Sequence, residues 1–115
     1  MSVNSAKGYY LGEDGRPRRN CAQAIADAFQ DKFPVPAQEA ARFSACGGGR
    51  APEGRCGSLH VAKVLLEQYR PGKADECERQ LALAAGSARC REIRTLGKLS
   101  CLGCVEMVAK FMETV

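Results

Sequence analysis

Cys21, Cys46, Cys56, Cys77, Cys90, Cys101 and Cys104 are the residues of this 115-residue chain whose type and number point to chemistry. A thiolate is the nucleophile of disulfide exchange and a soft ligand for zinc or an iron–sulfur cluster. Cys101-Leu-Gly-Cys104 is a C-x-x-C, the spacing of many dithiol sites and equally of two ligands in a metal site. No His follows Cys104, so the c-type haem signature fails. Cys46 and Cys56 bracket a glycine-rich loop, Gly47-Gly-Gly-Arg-Ala-Pro-Glu-Gly-Arg55. No G-K-[ST] follows its glycine run, so a P-loop is absent, and the run is expected to let the backbone cross close to the thiols.

The elements that must position these thiols read as helices. Asn20 is a good N-cap, and Ala22, Ile25, Ala26 and Phe29 fall on one helical stripe that should end near Phe33-Pro34-Val35-Pro36. A second helix is expected over Ala37 to Ala45, and a third from Gly57 to Tyr69 with Leu59, Ala62, Leu65, Leu66 and Tyr69 in phase. A fourth runs from Ala74 to Ala85, with Cys77, Leu81, Ala84 and Ala85 on one side. A short fifth piece covers Arg89 to Leu96. The last helix is the clearest: Cys101, Cys104, Val105, Val108, Phe111, Met112 and Val115 share a stripe behind the N-cap Ser100. No period-2 stretch suggests a strand, and the βαβ context of thioredoxin-like C-x-x-C sites is missing. The expected fold is all-α, a small single-domain bundle of about five helices with a Gly-rich loop.

On this map Cys21, Cys56, Cys101 and Cys104 lie in first helical turns and Cys90 near the start of the short helix. The partial positive charge there favours thiolate. Arg55 precedes Cys56, and Arg89 and Arg91 flank Cys90. Cys77 reads as a core residue and Cys46 ends a helix. His60, the only histidine, is one turn past Cys56 and reads as a packing residue in preference to a base or ligand.

Seven is an odd number, and about 6% cysteine is below the level of a disulfide scaffold. Residues 1 to 17 are polar and glycine-bearing, and are expected as a loosely ordered arm. Its Tyr9 and Tyr10 would pack onto the domain or a second subunit, leaving a homodimer open. Residues 18 to 115 form the helical cysteine-rich redox domain. The N-terminal stretch lacks an apolar h-region and no run reaches transmembrane length, so a cytoplasmic chain without membrane insertion is expected. Structural disulfides are uncommon there. The 17 basic and 13 acidic side chains give a net charge of +4 and alternate over most of the chain, which argues against nucleic acid. Arg16-Pro-Arg-Arg19 reads as a solvated lead-in to the first helix.

The cysteines and their flanks resemble a family of redox-active proteins named for four elements, C, CGAxxG, C and C. Asn20-Cys21-Ala-Gln-Ala24 resembles the first. The glycine run with Cys56-Gly57-Ser-Leu-His-Val61 is similar to the second, Cys90-Arg-Glu-Ile93 to the third and Cys104-Val-Glu-Met-Val108 to the fourth. The likeness runs from about residue 20 to 112. Ser58 stands where the family has alanine, and Val61 adds bulk where it has glycine. The resemblance implies an all-helical domain and a redox role, and brings no substrate.

The leading expectation is a thiol–disulfide oxidoreductase-like protein working with a redox partner protein and without a cofactor. Cys21, Cys56, Cys90 and Cys104 would converge as the reactive set, with Cys101 as a resolving thiol. The alternative is a binding protein in which Cys21, Cys46, Cys56, Cys90, Cys101 and Cys104 supply ligands to an iron–sulfur cluster or zinc. A third is a structural helical domain with incidental thiols. Because Cys101 and Cys104 are one turn apart on an inward stripe, oxidation is expected to join the last helix to another helix.

Overall fold

The structure is a computed structural model describing residues 2–13, 15, 18–47 and 50–115. Seven α-helices follow one another among these residues: α1 (Ser2–Leu11), α2 (Cys21–Ala28), α3 (Ala37–Arg42), α4 (Gly57–Tyr69), α5 (Lys73–Ala85), α6 (Cys90–Leu96) and α7 (Cys101–Thr114). Short 3₁₀ turns at Phe43–Ala45 and Pro52–Gly54 lie between α3 and α4. No strand occurs among the described residues; an isolated antiparallel bridge pairs Arg55 with Arg89.

The all-α class expected from periodicity is present, with seven helices where about five were expected. The six segments read as helical in sequence are all helical, and the helix added to them is α1, in the expected loose arm. Its apolar residues Val3, Ala6 and Tyr10 are too few for a convincing stripe, and Gly8 interrupts them. Helicity there comes from tertiary packing. α1 lies antiparallel to α7: the Val3 N–H donates to Glu113 at 3.0 Å, Lys7 pairs with Glu106 at 3.8 Å, and Tyr10 meets Cys101. Ala6 is fully buried beneath it.

α2, α4 and α7 pack on one another and carry most of the core, with α1 against α2 and α7, and α5 against α4 and α7. Ile25, Leu59, Leu65, Leu66, Val105 and Met112 are completely buried, each worth about 1.5–3 kcal/mol of transfer free energy. A capping box sets the start of α2: Asn20 Oδ1 accepts from the Gln23 N–H at 2.8 Å, and the Gln23 side chain accepts from the Asn20 N–H at 3.2 Å. α2 stops at Ala28, earlier than the expected Phe33. The chain turns there, with the Phe33 N–H bonded to Phe29 O at 2.7 Å, so that both rings enter the core stacked 6.2 Å apart.

α5 buries Cys77, Leu81 and Ala85 as its stripe predicts, while Ala84 faces solvent. Gly48 and Gly49 of the glycine run, and Asp14, Arg16 and Pro17 of the expected arm and basic run, lie outside the described residues. At Gly47 the backbone crosses close to Asn20, the cap residue before Cys21: a Cβ there would stand 2.8 Å from Asn20 Cβ.

Candidate functional site

Four segments deliver five thiols to one place. Cys21 opens α2, Cys56 is the N-cap of α4, Cys90 opens α6, and Cys101 and Cys104 occupy the first turn of α7. All five line a single cavity of about 20 Å³, together with Gly57, Ile93 and Arg94. A volume of that size takes one water and no organic ligand. Local sequence explains the delivery. Ser100 caps α7 by accepting from the Gly103 N–H at 2.9 Å, which fixes Cys101 and Cys104 at its start. The Cys56 N–H donates to Ala88 O at 2.8 Å, and the neighbouring Arg55–Arg89 bridge holds the α4 entry beside the α6 entry. Gly57 has to be glycine, because a Cβ there would meet Cys46 O at 2.6 Å and Cys21 Sγ at 2.7 Å.

Within the cavity the thiols pair across helices. The titration of Cys101 is coupled chiefly to Cys21, and that of Cys56 chiefly to Cys104. One member of each pair favours thiolate and the other keeps its proton. Cys56 is lowered from the usual 9.0 to about 6, chiefly by the Cys104 thiol donating to it and further by the Ser58 hydroxyl 3.1 Å away. The Ser58 and Leu59 N–H groups at the start of α4 assist, without a fully formed side-chain cap bond. Cys101 is lowered to about 6 by the Cys21 thiol, with the Tyr10 hydroxyl and the Arg94 guanidinium adding to it. Cys21 and Cys104 are raised by donating to these neighbours and by burial.

A helix N-terminus alone therefore does not make a thiolate here; the lowered thiols, Cys56 and Cys101, have donors beside them as well. Cys21 and Cys104 start helices and stay protonated. Cys90 is pushed up by burial, although two arginines flank it in sequence; Arg89 and Arg91 are exposed, and the cation that favours its thiolate is Arg94. Arg55, expected to serve Cys56, reaches Glu53 at 2.9 Å and Glu78 at 3.6 Å.

Cys46, an alternative ligand by sequence, stands outside the cavity with its Sγ 3.8 Å from Arg42 O. Cys77 is 2% exposed in the core, and burial pushes its thiol up to about 12. His60 sets its ring edge-on to Phe43 at 6.5 Å, and burial lowers its basicity. Sequence reasoning missed three contributors. Ser58, the buried polar residue of the core, appeared as a minor departure from alanine; Tyr10 was placed in an arm; Arg94 sat in a short helix without a motif. The helical interval from Cys90 to Arg94 was the available signal for Arg94.

Cys21, Cys101 and Arg94 also form the inner wall of a second, outer pocket of about 340 Å³. A cleft of about 440 Å³ between α5 and α7 holds no thiol. Among the described residues, no group of three or more His, Cys, Asp or Glu side chains is arranged as a metal cage, and no helix is long and apolar enough to cross a membrane. No protein-family model matches the chain, and neither does any curated protein or solved structure compared with it.

Proposed function

We propose that this chain is a thiol–disulfide redox protein whose reactive centre is the cluster of Cys21, Cys56, Cys90, Cys101 and Cys104. The observation that carries the reading is the gathering of five thiols from four helix starts around one cavity; the coupling of Cys101 with Cys21 and of Cys56 with Cys104, one sulfur of each pair inclined to thiolate and the other to keeping its proton, supports it. That is the arrangement a dithiol exchange needs: an attacking thiolate and a thiol in contact to resolve the mixed disulfide. The order and flanks of the cysteines, which resemble the C, CGAxxG, C, C family, support the same reading.

Cys101 attacks one sulfur of an external disulfide, forming a mixed disulfide and releasing one thiolate. Cys21 then attacks the Cys101 sulfur, closes the Cys21–Cys101 bond and releases the second thiolate, while its proton passes to a released thiolate. Two electrons move from the pair to the external disulfide. This gives Cys101 the attacking role in place of the resolving role expected from sequence, because it borders the outer pocket and its neighbours favour thiolate. Mild oxidation followed by peptide mapping without reductant tests the reading. Bridges Cys21–Cys101 and Cys56–Cys104 are expected; a Cys101–Cys104 bridge alone defeats the inter-helix scheme.

A second reading rests on the five soft sulfur donors around one cavity, the donor type of zinc and iron–sulfur sites; no three of them stand as a cage among the described residues, so binding would require them to draw together. Anaerobic purification with metal analysis separates the two. Stoichiometric metal with thiols protected from alkylation favours the ligand reading, and a colourless, metal-free, freely oxidisable protein favours exchange.

A further inference from the structure

The cavity between the thiols is too small for any substrate, so a reacting molecule has to approach from outside. The outer pocket, about 340 Å³, is of the size of small-molecule clefts. Its inner wall is Cys101, Cys21 and Arg94, and its remaining lining is Tyr10, Arg18, Arg19 and Asn20. Three of these side chains are arginines, and no acidic side chain lines it among the described residues. A backbone contact holds Arg19 there: its N–H donates to Tyr9 O at 2.8 Å, which clips the segment before α2 onto α1. Arg19 Nε stands 3.3 Å from Asp27 Oδ2, so Asp27 anchors that side chain. Arg18 and Arg94 are exposed at the pocket. Arg18 and Arg19, the described arginines of the basic run, lead into α2 as expected and also line the pocket that Cys21 and Cys101 line.

We propose that this pocket is the substrate site of the thiol centre and that its substrate is a low-molecular-weight disulfide bearing carboxylate groups. The proposal rests on the exchange reading above and adds the substrate class. Arginine is the side chain whose planar fork matches a carboxylate, and the pocket presents that fork beside a sulfur nucleophile. Cys101 Sγ attacks the nearer sulfur of the bound disulfide. The Cys101–S bond forms, the substrate S–S bond breaks, and one carboxylate-bearing thiolate leaves past Arg18 and Arg94. Cys101 is then no longer an anion, so Cys21 ceases to donate a hydrogen bond to it and gives its proton to the departing thiolate. Cys21 closes the bond to Cys101 and the second half of the substrate leaves as thiolate. In sum, one disulfide, one protein thiolate and one protein thiol become one protein disulfide, one thiolate and one thiol. The Tyr10 hydroxyl, which favours the Cys101 thiolate, lines the same pocket.

The test follows oxidation of the fully reduced chain by three probes: glutathione disulfide, which is anionic, bis(2-hydroxyethyl) disulfide, which is neutral, and cystamine, which is cationic. The readout is the ratio of the glutathione disulfide and cystamine rate constants for closing Cys21–Cys101. A ratio is chosen because loss of Arg94 also weakens the Cys101 thiolate, which slows every probe equally. The expected ratio is at least about tenfold at low salt, the lower end of electrostatic steering, and it shrinks as salt screens the pocket. The double substitution Arg18→Gln and Arg94→Gln is expected to bring it towards unity, with an unchanged melting temperature as the control for folding. A ratio near unity in the unsubstituted protein, or one the double substitution leaves unchanged, overturns the proposal while the exchange reading stands. Faster oxidation by a disulfide-bonded protein than by all three probes overturns it in favour of a protein partner. Failure of every disulfide to react defeats the exchange reading itself.

Discussion

Removing the Cys21 thiol should move the titration of Cys101, and the size of the move follows from what Cys21 contributes. Cys101 lies near 6 against a usual 9.0, with the Cys21 hydrogen bond as the largest cause. At pH 5 a thiol near 6 is ionised about 900-fold more than one near 9. Its thiolate is less basic, and a Brønsted coefficient of about 0.45 over three units takes back about 20-fold. Cys101 should therefore alkylate about 40-fold faster than an ordinary thiol at pH 5, but only about fourfold faster at pH 7, so acid conditions are the ones that discriminate. A hydrogen bond to a charged group is worth about 1.5–3 kcal/mol, or about one to two pKa units. Cys21→Ala should then raise the Cys101 midpoint by about one to two units and slow its alkylation at pH 5 by about 3- to 12-fold. Cys21→Ser retains a donor and should restore most of the loss. The assay is alkylation under reducing conditions, with fragmentation of the tryptic peptide 99–110 assigning label to Cys101 or Cys104. An unsubstituted Cys101 titrating near 9, or the same midpoint in Cys21→Ala, refutes the pairing.

Three further outcomes follow from the same geometry. Gly57→Ala forces a methyl against Cys46 O and Cys21 Sγ, and should cost about 1–3 kcal/mol in denaturant unfolding while shifting the Cys101 titration through Cys21. Ser58→Ala removes the hydroxyl 3.1 Å from Cys56 Sγ; the Cys56 midpoint should rise in an alkylation–pH profile, and Ser58→Thr should hold it lower than Ser58→Ala does. Under reducing conditions stability should rise between about pH 6 and 9, where the unfolded chain holds both protons of each pair and the native pair holds one. Above 9 it should fall, because the unfolded chain loses protons that native Cys21, Cys104 and Cys77 retain. Urea midpoints across that range check both limbs; the variant lacking Cys21, Cys56, Cys101 and Cys104 should lose the rising limb and keep only the shallower fall that Cys77 contributes.

The helices legible in sequence are those whose apolar spacing is dense enough to outweigh local chemistry. α4 and α7 carry a buried residue on nearly every turn, and their ends fall close to the expected positions. α2 was overextended because Phe29 and Phe33 keep the spacing of a helix while the chain between them turns. Periodicity reports which residues are buried; it does not report the backbone path that buries them. α1 was missed for the opposite reason. Its stripe is sparse, and it is helical because α2 and α7 offer it a surface, which no local window contains.

The site divides along the same line. Cys21, Cys56, Cys90 and Cys104 are expected from sequence as a reactive set with Cys101 as a resolving thiol, and these five line one cavity, because cysteines at several helix starts can meet when those starts gather at one end of a bundle. What sequence could not supply is the sense of each thiol. The helix dipole acts on Cys21 and Cys101 alike, since each opens its helix, yet they shift in opposite directions. The difference comes from lateral neighbours. Cys101 also receives a hydroxyl from α1 and a guanidinium from α6, whereas Cys21 is closed over by Gly57. Charge on one sulfur then raises the cost of charge on the other, so a small asymmetry in surroundings becomes a large separation within the pair. Polarity of this kind is a property of the assembled helix ends. It predicts that exchanging only the neighbours, with Tyr10→Phe and Arg94→Gln together, narrows the separation between Cys21 and Cys101 while both cysteines remain in place. Site-resolved alkylation of the two thiols measures that separation, and a separation that survives the double substitution would mean that the helix ends themselves set it.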